Sequence, residues 1–85
     1  MTETPEHRIK RLKMRSMRRG IKEMDIILSA YADQTLHHKA DADLLLYDSL
    51  LNENDQDLYQ WVTGQVETPE KYSKLMSEIS QTLQK

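Results

Sequence analysis

The sequence predicts an all-α fold: a compact single-domain bundle of about five short helices spanning residues 1–85. Three observations carry that prediction. Apolar residues recur at three-and-four spacing along most of the chain. No stretch alternates with period two for long enough to suggest a strand. Only two prolines and two glycines interrupt the 85 residues.

Both prolines stand in the same local context, Thr4-Pro5-Glu6 and Thr68-Pro69-Glu70. Each reads as an N-cap, a proline at the first helical position and an acid in the first turn. Proline there gives up no needed N–H, and the acid faces the positive end of the helix. Helices are therefore expected to start near residues 5 and 69. The first should run to about Arg18, with Ile9, Leu12, Ser16 and Arg19 on one stripe and Met14 and Met17 nearby. A second should span about Ile21 to Asp33, with Ile21, Met24, Ile27, Leu28 and Tyr31 on its apolar face. Residues 34–40 (QTLHHKA) are polar and weakly patterned, as in a turn. Asp41 is placed to cap a third helix carrying Leu44 to Tyr47, Leu50 and Leu51, the densest apolar cluster. Asn54 is placed to cap a fourth, with Leu58, Trp61 and Val62, which Gly64 ends. Trp61, flanked by Leu58 and Val62, reads as a core anchor. The fifth helix carries Tyr72, Leu75, Met76, Ile79 and Leu83. Residues 1–4 and 84–85 are expected to fray.

Composition narrows the function. At 38% apolar and 31% charged residues, the chain suits amphipathic helices with wet outer faces. Without cysteine there is no disulfide framework, no thiolate nucleophile and no Cys-based metal site. No apolar run approaches the ~20 residues of a membrane span. The opening MTETPEHRIK lacks a signal peptide's apolar segment and begins acidic, so a cytoplasmic protein, monomeric when free, is expected. Charge is unevenly distributed. Residues 1–23 hold eight Lys and Arg against three Glu, whereas the other 62 hold four basic and eleven acidic side chains. A bipolar surface of this kind can orient an encounter with an acidic partner.

The chemical signals for catalysis are weak. No motif links any of the six serines to His7, His37 or His38 as nucleophile and base, and no G-x-S-x-G, P-loop or G-x-G-x-x-G is present. Two glycines cannot build a glycine-rich phosphate cradle. An enzyme is not expected, and neither catalytic, metal nor cofactor-binding residues are assigned. His37-His38 lacks the spaced partners of a zinc site and reads as solvated loop. Asn54, Asp55 and Asp57 begin like a calcium loop but lack its glycine and distal glutamate; an acid-rich helix N-terminus explains them better.

The stretch Arg18-Arg19-Gly20-Ile21-Lys22-Glu23-Met24-Asp25 stands out, because a glycine interrupts strong helical periodicity on both sides. One reading is a helix corner, with Gly20 at positive φ and Arg19 paired to Glu23 on the surface. Another is a contact site, where a position without a side chain admits a partner's backbone between a fork donor, Arg19, and an acceptor, Glu23. The residues alone leave both open. A basic first helix also fits a small nucleic-acid-binding module, although it carries no aromatic residue and the rest of the chain is acidic.

These eight residues resemble the R-R-G-M-x-E-L-D signature of the succinate dehydrogenase assembly factors, or flavinators. Arg11-Leu12 and Ser16 fit the approach to that signature. Asn54-Asp55-Gln56-Asp57-Leu58-Tyr59-Gln60-Trp61 resembles the family's D-x-D-L-x-x-W segment, and Leu44–Leu51 its leucine-rich middle helix, so the likeness spans roughly residues 8–63. Ile21 replaces the common Met, Met14 stands where an aromatic is frequent, and the chain after Thr63 matches little. The resemblance implies a five-helix bundle acting as a non-catalytic assembly chaperone. Its partner would be the flavoprotein subunit of succinate dehydrogenase, and in bacteria that of fumarate reductase as well. It would promote covalent FAD attachment to a histidine of that subunit, with no FAD of its own. Arg19, Gly20 and Glu23 would then form the client-binding motif, with Arg18, Ile21 and Asp25 beside them.

Overall fold

A computed structural model describes residues 3–82. Thr4 opens α1 (Pro5–Ser16): its hydroxyl accepts from the His7 N–H at 3.2 Å, and Pro5 takes the first helical position. α2 covers Lys22–Thr35 and runs into a 3-10 turn at Leu36–His38, within the segment expected to turn. α3 is Asp41–Leu50, α4 is Asp55–Val62 and α5 is Glu70–Thr82. No strand occurs among the described residues.

The cap of α4 is the expected one, with Asn54 Oδ1 accepting from the Gln56 N–H at 2.8 Å. Gly64 follows α4 at φ 79°, where a side chain would be strained. The reversal lets the N–H groups of Gln65 and Val66 both reach the Gln60 carbonyl, at 2.9 and 3.3 Å. The cap of α3 differs from expectation. Ala40 occupies the cap position, and Asp41 is the first helical residue, where its charge faces the helix dipole and Arg8 at 3.5 Å. The fraying expected at residues 1–4 and 84–85 falls partly outside the described residues, as does Leu83; Glu3 and Thr4 are held by contacts to α1.

α2 crosses the middle of the bundle and packs against α1, α4 and α5, while α3 lies against α1 and α5. Each helix turns one stripe inward. The core is Leu12 of α1; Met24, Ile27, Leu28, Tyr31 and Ala32 of α2; Leu36; Leu44, Tyr47, Leu50 and Leu51; Leu58 and Val62; and Tyr72, Leu75, Met76 and Ile79. Leu45, inside the predicted apolar cluster, points outward and is 56% exposed. Trp61 is half-buried at the rim rather than central, its ring 6.1 Å from that of Tyr72. Three tyrosines take the central role instead, each fully buried with a partner for its hydroxyl. Tyr31 donates to Glu78 at 3.2 Å, Tyr47 meets the buried Ser16 hydroxyl at 2.6 Å, and Tyr72 meets Ser49 at 2.8 Å. Among the described residues no buried side-chain polar atom lacks a partner, as a small core requires.

The candidate functional site at the first helix corner

The corner between α1 and α2 is built differently from its sequence-based expectation. α1 stops at Ser16, two residues before Arg18, and Met17 is extended (φ −99°, ψ 164°). The left-handed residue is Arg18 (φ 55°), not Gly20. A non-glycine residue holds this conformation only when its surroundings fix it. Here the Arg18 N–H donates to Asp25 Oδ2 at 2.8 Å, and the Ser29 hydroxyl reaches the Ser16 carbonyl at 3.3 Å. The start of α2 thus ties down the end of α1.

Gly20 is needed for another reason. Its N–H donates to Asp55 Oδ2 at 2.6 Å, and a Cβ at this position would sit only 3.1 Å from that same oxygen. Asp55, at the N-terminus of α4, also accepts from Arg19, at 2.8 Å from Nε and 2.7 Å from Nη2. The guanidinium completes its contacts on the Arg15 and Leu51 carbonyls, at 3.0 and 3.2 Å. Only 12% of the Arg19 side chain and 16% of the Asp55 side chain remain exposed. Asp55 therefore clamps the corner onto the α3–α4 junction. The surface pair of Arg19 with Glu23 is not formed.

Of the six residues singled out, Gly20, Glu23 and the Arg18 side chain lie at the surface, with Ile21 half-buried beside them. Arg19 and Asp25 turn into the fold. Glu23 has no ion pair among the described residues. It forms one wall of an open groove of about 330 Å³ with Ile21, and Gln56, Tyr59, Gln60 and Gln65 form the other. The sequence reading missed this second wall. Its only signal was the D-x-D-L-x-x-W patch, which singled out Asp55 without saying what it holds.

The basic first helix is also resolved. Arg8 meets Glu3 and Asp41, Arg11 meets Glu3 at 2.7 Å and Asp48 at 3.0 Å, and Arg15 meets Asp48 and Asn52. Hydrogen bonding to Arg11 holds the carboxyls of Asp48 and Glu3 below the usual carboxylate range. Burial pushes the Tyr47 hydroxyl up to about 12, which keeps it a neutral partner for Ser16. Among the described residues, Lys10, Arg18 and Lys22 are the cations of residues 8–22 without an acidic partner or a carbonyl contact from their side chains. No group of His, Asp and Glu among the described residues is arranged to hold a metal ion, and His37 sits 3.0 Å from Lys13 Nζ on the surface. No helix among the described residues is long and apolar enough to cross a membrane.

Fold and corner together define a small helical-bundle protein whose exposed corner is locked from behind and open in front. A family model described as "Flavinator of succinate dehydrogenase" matches residues 10–83, so the match continues through α5, beyond the region of resemblance read from sequence. The chain is 39% identical over 80 residues to "Succinate dehydrogenase assembly factor 2, mitochondrial" of Schizosaccharomyces pombe, covering 92% of this chain and 58% of the relative. Proteins of the same name in Candida glabrata and Meyerozyma guilliermondii share 43% identity over 77 residues and 40% over 86. These alignments cover 87% and 98% of this chain, and 49% and 62% of those relatives. The chain belongs to the succinate dehydrogenase assembly factor family.

It spans about half to three-fifths of the length of these curated relatives. The relatives are named as mitochondrial proteins, which overturns the expectation of a cytoplasmic one. That expectation rested on an opening without an apolar leader and with an acidic start unlike a mitochondrial presequence, and the names of the relatives overrule both.

Proposed function

We propose that this protein binds the flavoprotein subunit of succinate dehydrogenase, with that of fumarate reductase as a further client, and promotes covalent attachment of FAD to it. In this reading the protein is a chaperone without catalytic residues, and the FAD belongs to the client. The observation that carries it is the family match across residues 10–83, joined to a corner where Glu23 stands unpaired beside Gly20. Beyond its place in the first turn of α2, where its charge faces the helix dipole, Glu23 has no ion pair among the described residues, so its acceptor oxygens are available to a partner.

A bundle this small acts by preferring one conformation of its client. It shifts the client toward a flavinylation-competent arrangement only by as much as it binds that arrangement better. Moving a population from 1:99 to 99:1 takes about a 10⁴-fold difference in affinity. A few charge-assisted hydrogen bonds at the corner, together with apolar contacts, are of that order. Arg19 and Asp25 serve in this reading by holding the corner's shape, while Gly20, Ile21 and Glu23 meet the client. The nucleic-acid reading loses its support, because four arginines of the basic segment (Arg8, Arg11, Arg15 and Arg19) are engaged by the protein's own acids.

The test is co-expression with the flavoprotein subunit, followed by in-gel flavin fluorescence of that subunit. Glu23→Ala should abolish the covalent flavin signal while helicity and melting stay as in the parent. Full flavinylation with Glu23→Ala would refute the role of the corner, and no dependence on the parent protein at all would refute the function.

A further inference from the structure

The groove beside the corner has a lining that neither the fold nor the corner itself explains. Gln56 and Gln60 lie one helical turn apart on α4, and the Gly64 reversal brings Gln65 back to the far end. Among the described residues none of these three carboxamides hydrogen-bonds within the protein through its side chain. Ile21 and Tyr59, both half-buried, supply apolar surface, and Glu23 lines the same groove. Three unengaged amides and one unengaged acid around a concave strip form a set of donors and acceptors with a single negative charge.

The spacing suits one kind of ligand. Side chains at i and i+4 of a helix stand about 6 Å apart along the axis. An extended polypeptide repeats its same-facing backbone groups every two residues, about 6.7 Å. A carboxamide both donates and accepts, so each glutamine can pair with the N–H and C=O of one such residue. We propose that this groove binds an extended segment of the partner polypeptide, paired along its backbone by Gln56 and Gln60, with a Lys or Arg of that segment against Glu23. The inference rests on the client assignment made above and names the part of the client that enters. The charge of the occupant follows from Glu23: with no cation lining the groove, a basic segment is complementary and an acidic one is repelled.

The experiment uses the full chain and the flavoprotein subunit of succinate dehydrogenase. A photo-reactive benzoylphenylalanine placed at Gln60 should cross-link to the client, at an extended segment holding a Lys or Arg. The same group placed at Ser77, exposed on α5, should not. Gln56→Ala with Gln60→Ala should weaken client binding about thirtyfold at unchanged helicity, the loss of four neutral hydrogen bonds at the low end of their usual strength. Glu23→Gln should flatten the dependence of affinity on salt. If the parent binds the client but the double variant binds within twofold and Gln60 captures nothing, the groove is overturned and the client assignment stands. Capture of a second copy of this chain, or of an acidic segment, also overturns the groove. If the parent does not bind the client, both fall together.

Discussion

The two sides of the α1–α2 corner use similar residues for opposite ends. On the inner side, Arg19 and the Gly20 N–H both converge on Asp55, and the guanidinium is completed by the Arg15 and Leu51 carbonyls. On the outer side, Glu23 and the glutamines of the groove have no side-chain partner among the described residues. The same contrast runs along the first helix, where Arg8, Arg11 and Arg15 are engaged by Glu3, Asp41 and Asp48, while Lys10 has no acidic partner among the described residues. A count of charges therefore says little about which charges a partner meets. Groups bound internally fix the shape of the surface; those left over are available to recognise something else.

The largest effect expected on the inner side comes from Asp55→Ala. It leaves a guanidinium that is mostly shielded from water without its carboxylate, and it frees the Gly20 N–H. Breaking such a pair from one side should cost about 3 kcal/mol, because the remaining charge is poorly solvated. For a chain of this size that lowers Tm by roughly 10–20 °C in thermal melts followed by circular dichroism. A change under 2 °C would mean that the corner does not depend on the clamp, and the distinction between its two sides would collapse.

Asp48→Asn tests the same idea on the α1–α3 face, where exposure is greater and the loss smaller, about 1–2 kcal/mol. It also has a pH signature. Arg11, with Arg15 behind it, lowers the Asp48 carboxyl in the fold below its ordinary value of 3.8. A lowered value in the folded state means stability that is complete above about pH 4 and is lost as pH falls further. Glu78, lowered by its hydrogen bond to Lys39, acts in the same direction. Urea titrations between pH 2 and 6 should show a shallower acid limb for Asp48→Asn than for the parent; parallel limbs would remove Asp48 from the account.

How much of this could be read in the sequence depends on the range of the interactions. The helix starts at Thr4 and Asn54 and the stop at Gly64 were legible, because each is set by residues within a few positions. The corner was not. Arg18 takes a left-handed backbone because of Asp25, seven residues on, and Gly20 is glycine because of Asp55, thirty-five residues on. Periodicity identified Gly20 as unusual and left a helix corner and a contact site both open; the corner is present, but the positive φ assigned to Gly20 falls on Arg18. Trp61 reads as a core anchor and Leu45 as part of an apolar cluster, whereas Trp61 lies at the rim, and Leu45 is exposed because Leu44 and Tyr47 take the inward stripe of a helix that turns about 100° per residue.

Gly20→Ala separates the two uses of that residue. Alanine removes conformational freedom from the unfolded chain, worth about 0.5 kcal/mol in its favour. Against that, its Cβ presses on Asp55 Oδ2, the oxygen that accepts from the residue's own N–H, while Arg19 holds the other oxygen of that carboxylate, so it cannot retreat without lengthening the bonds it accepts. The net expectation is a loss of about 1 kcal/mol, small beside Asp55→Ala. An equal or greater stability would show that the clamp yields easily. Flavinylation by Gly20→Ala should fall further than that loss explains if a client's backbone passes over this position.

Glu23→Gln should have the smallest effect on the fold and the largest ratio of functional to structural loss. The side chain is exposed and unpaired, and glutamine keeps its size, so the change in stability should stay within about 0.5 kcal/mol. A carboxamide retains one acceptor oxygen but not the negative charge. Binding that depends on a cation across the groove should therefore weaken, while binding that needs only a hydrogen-bond acceptor should survive. Measured beside Glu23→Ala, which removes both, the variant distinguishes a charge requirement from a shape requirement. If both variants melt with the parent and only Glu23→Ala loses the client, the outer side works through hydrogen bonding alone, and the partner need not be basic. If both lose it, the outer side is defined by its charge, as the inner side is by the neutralisation of Arg19.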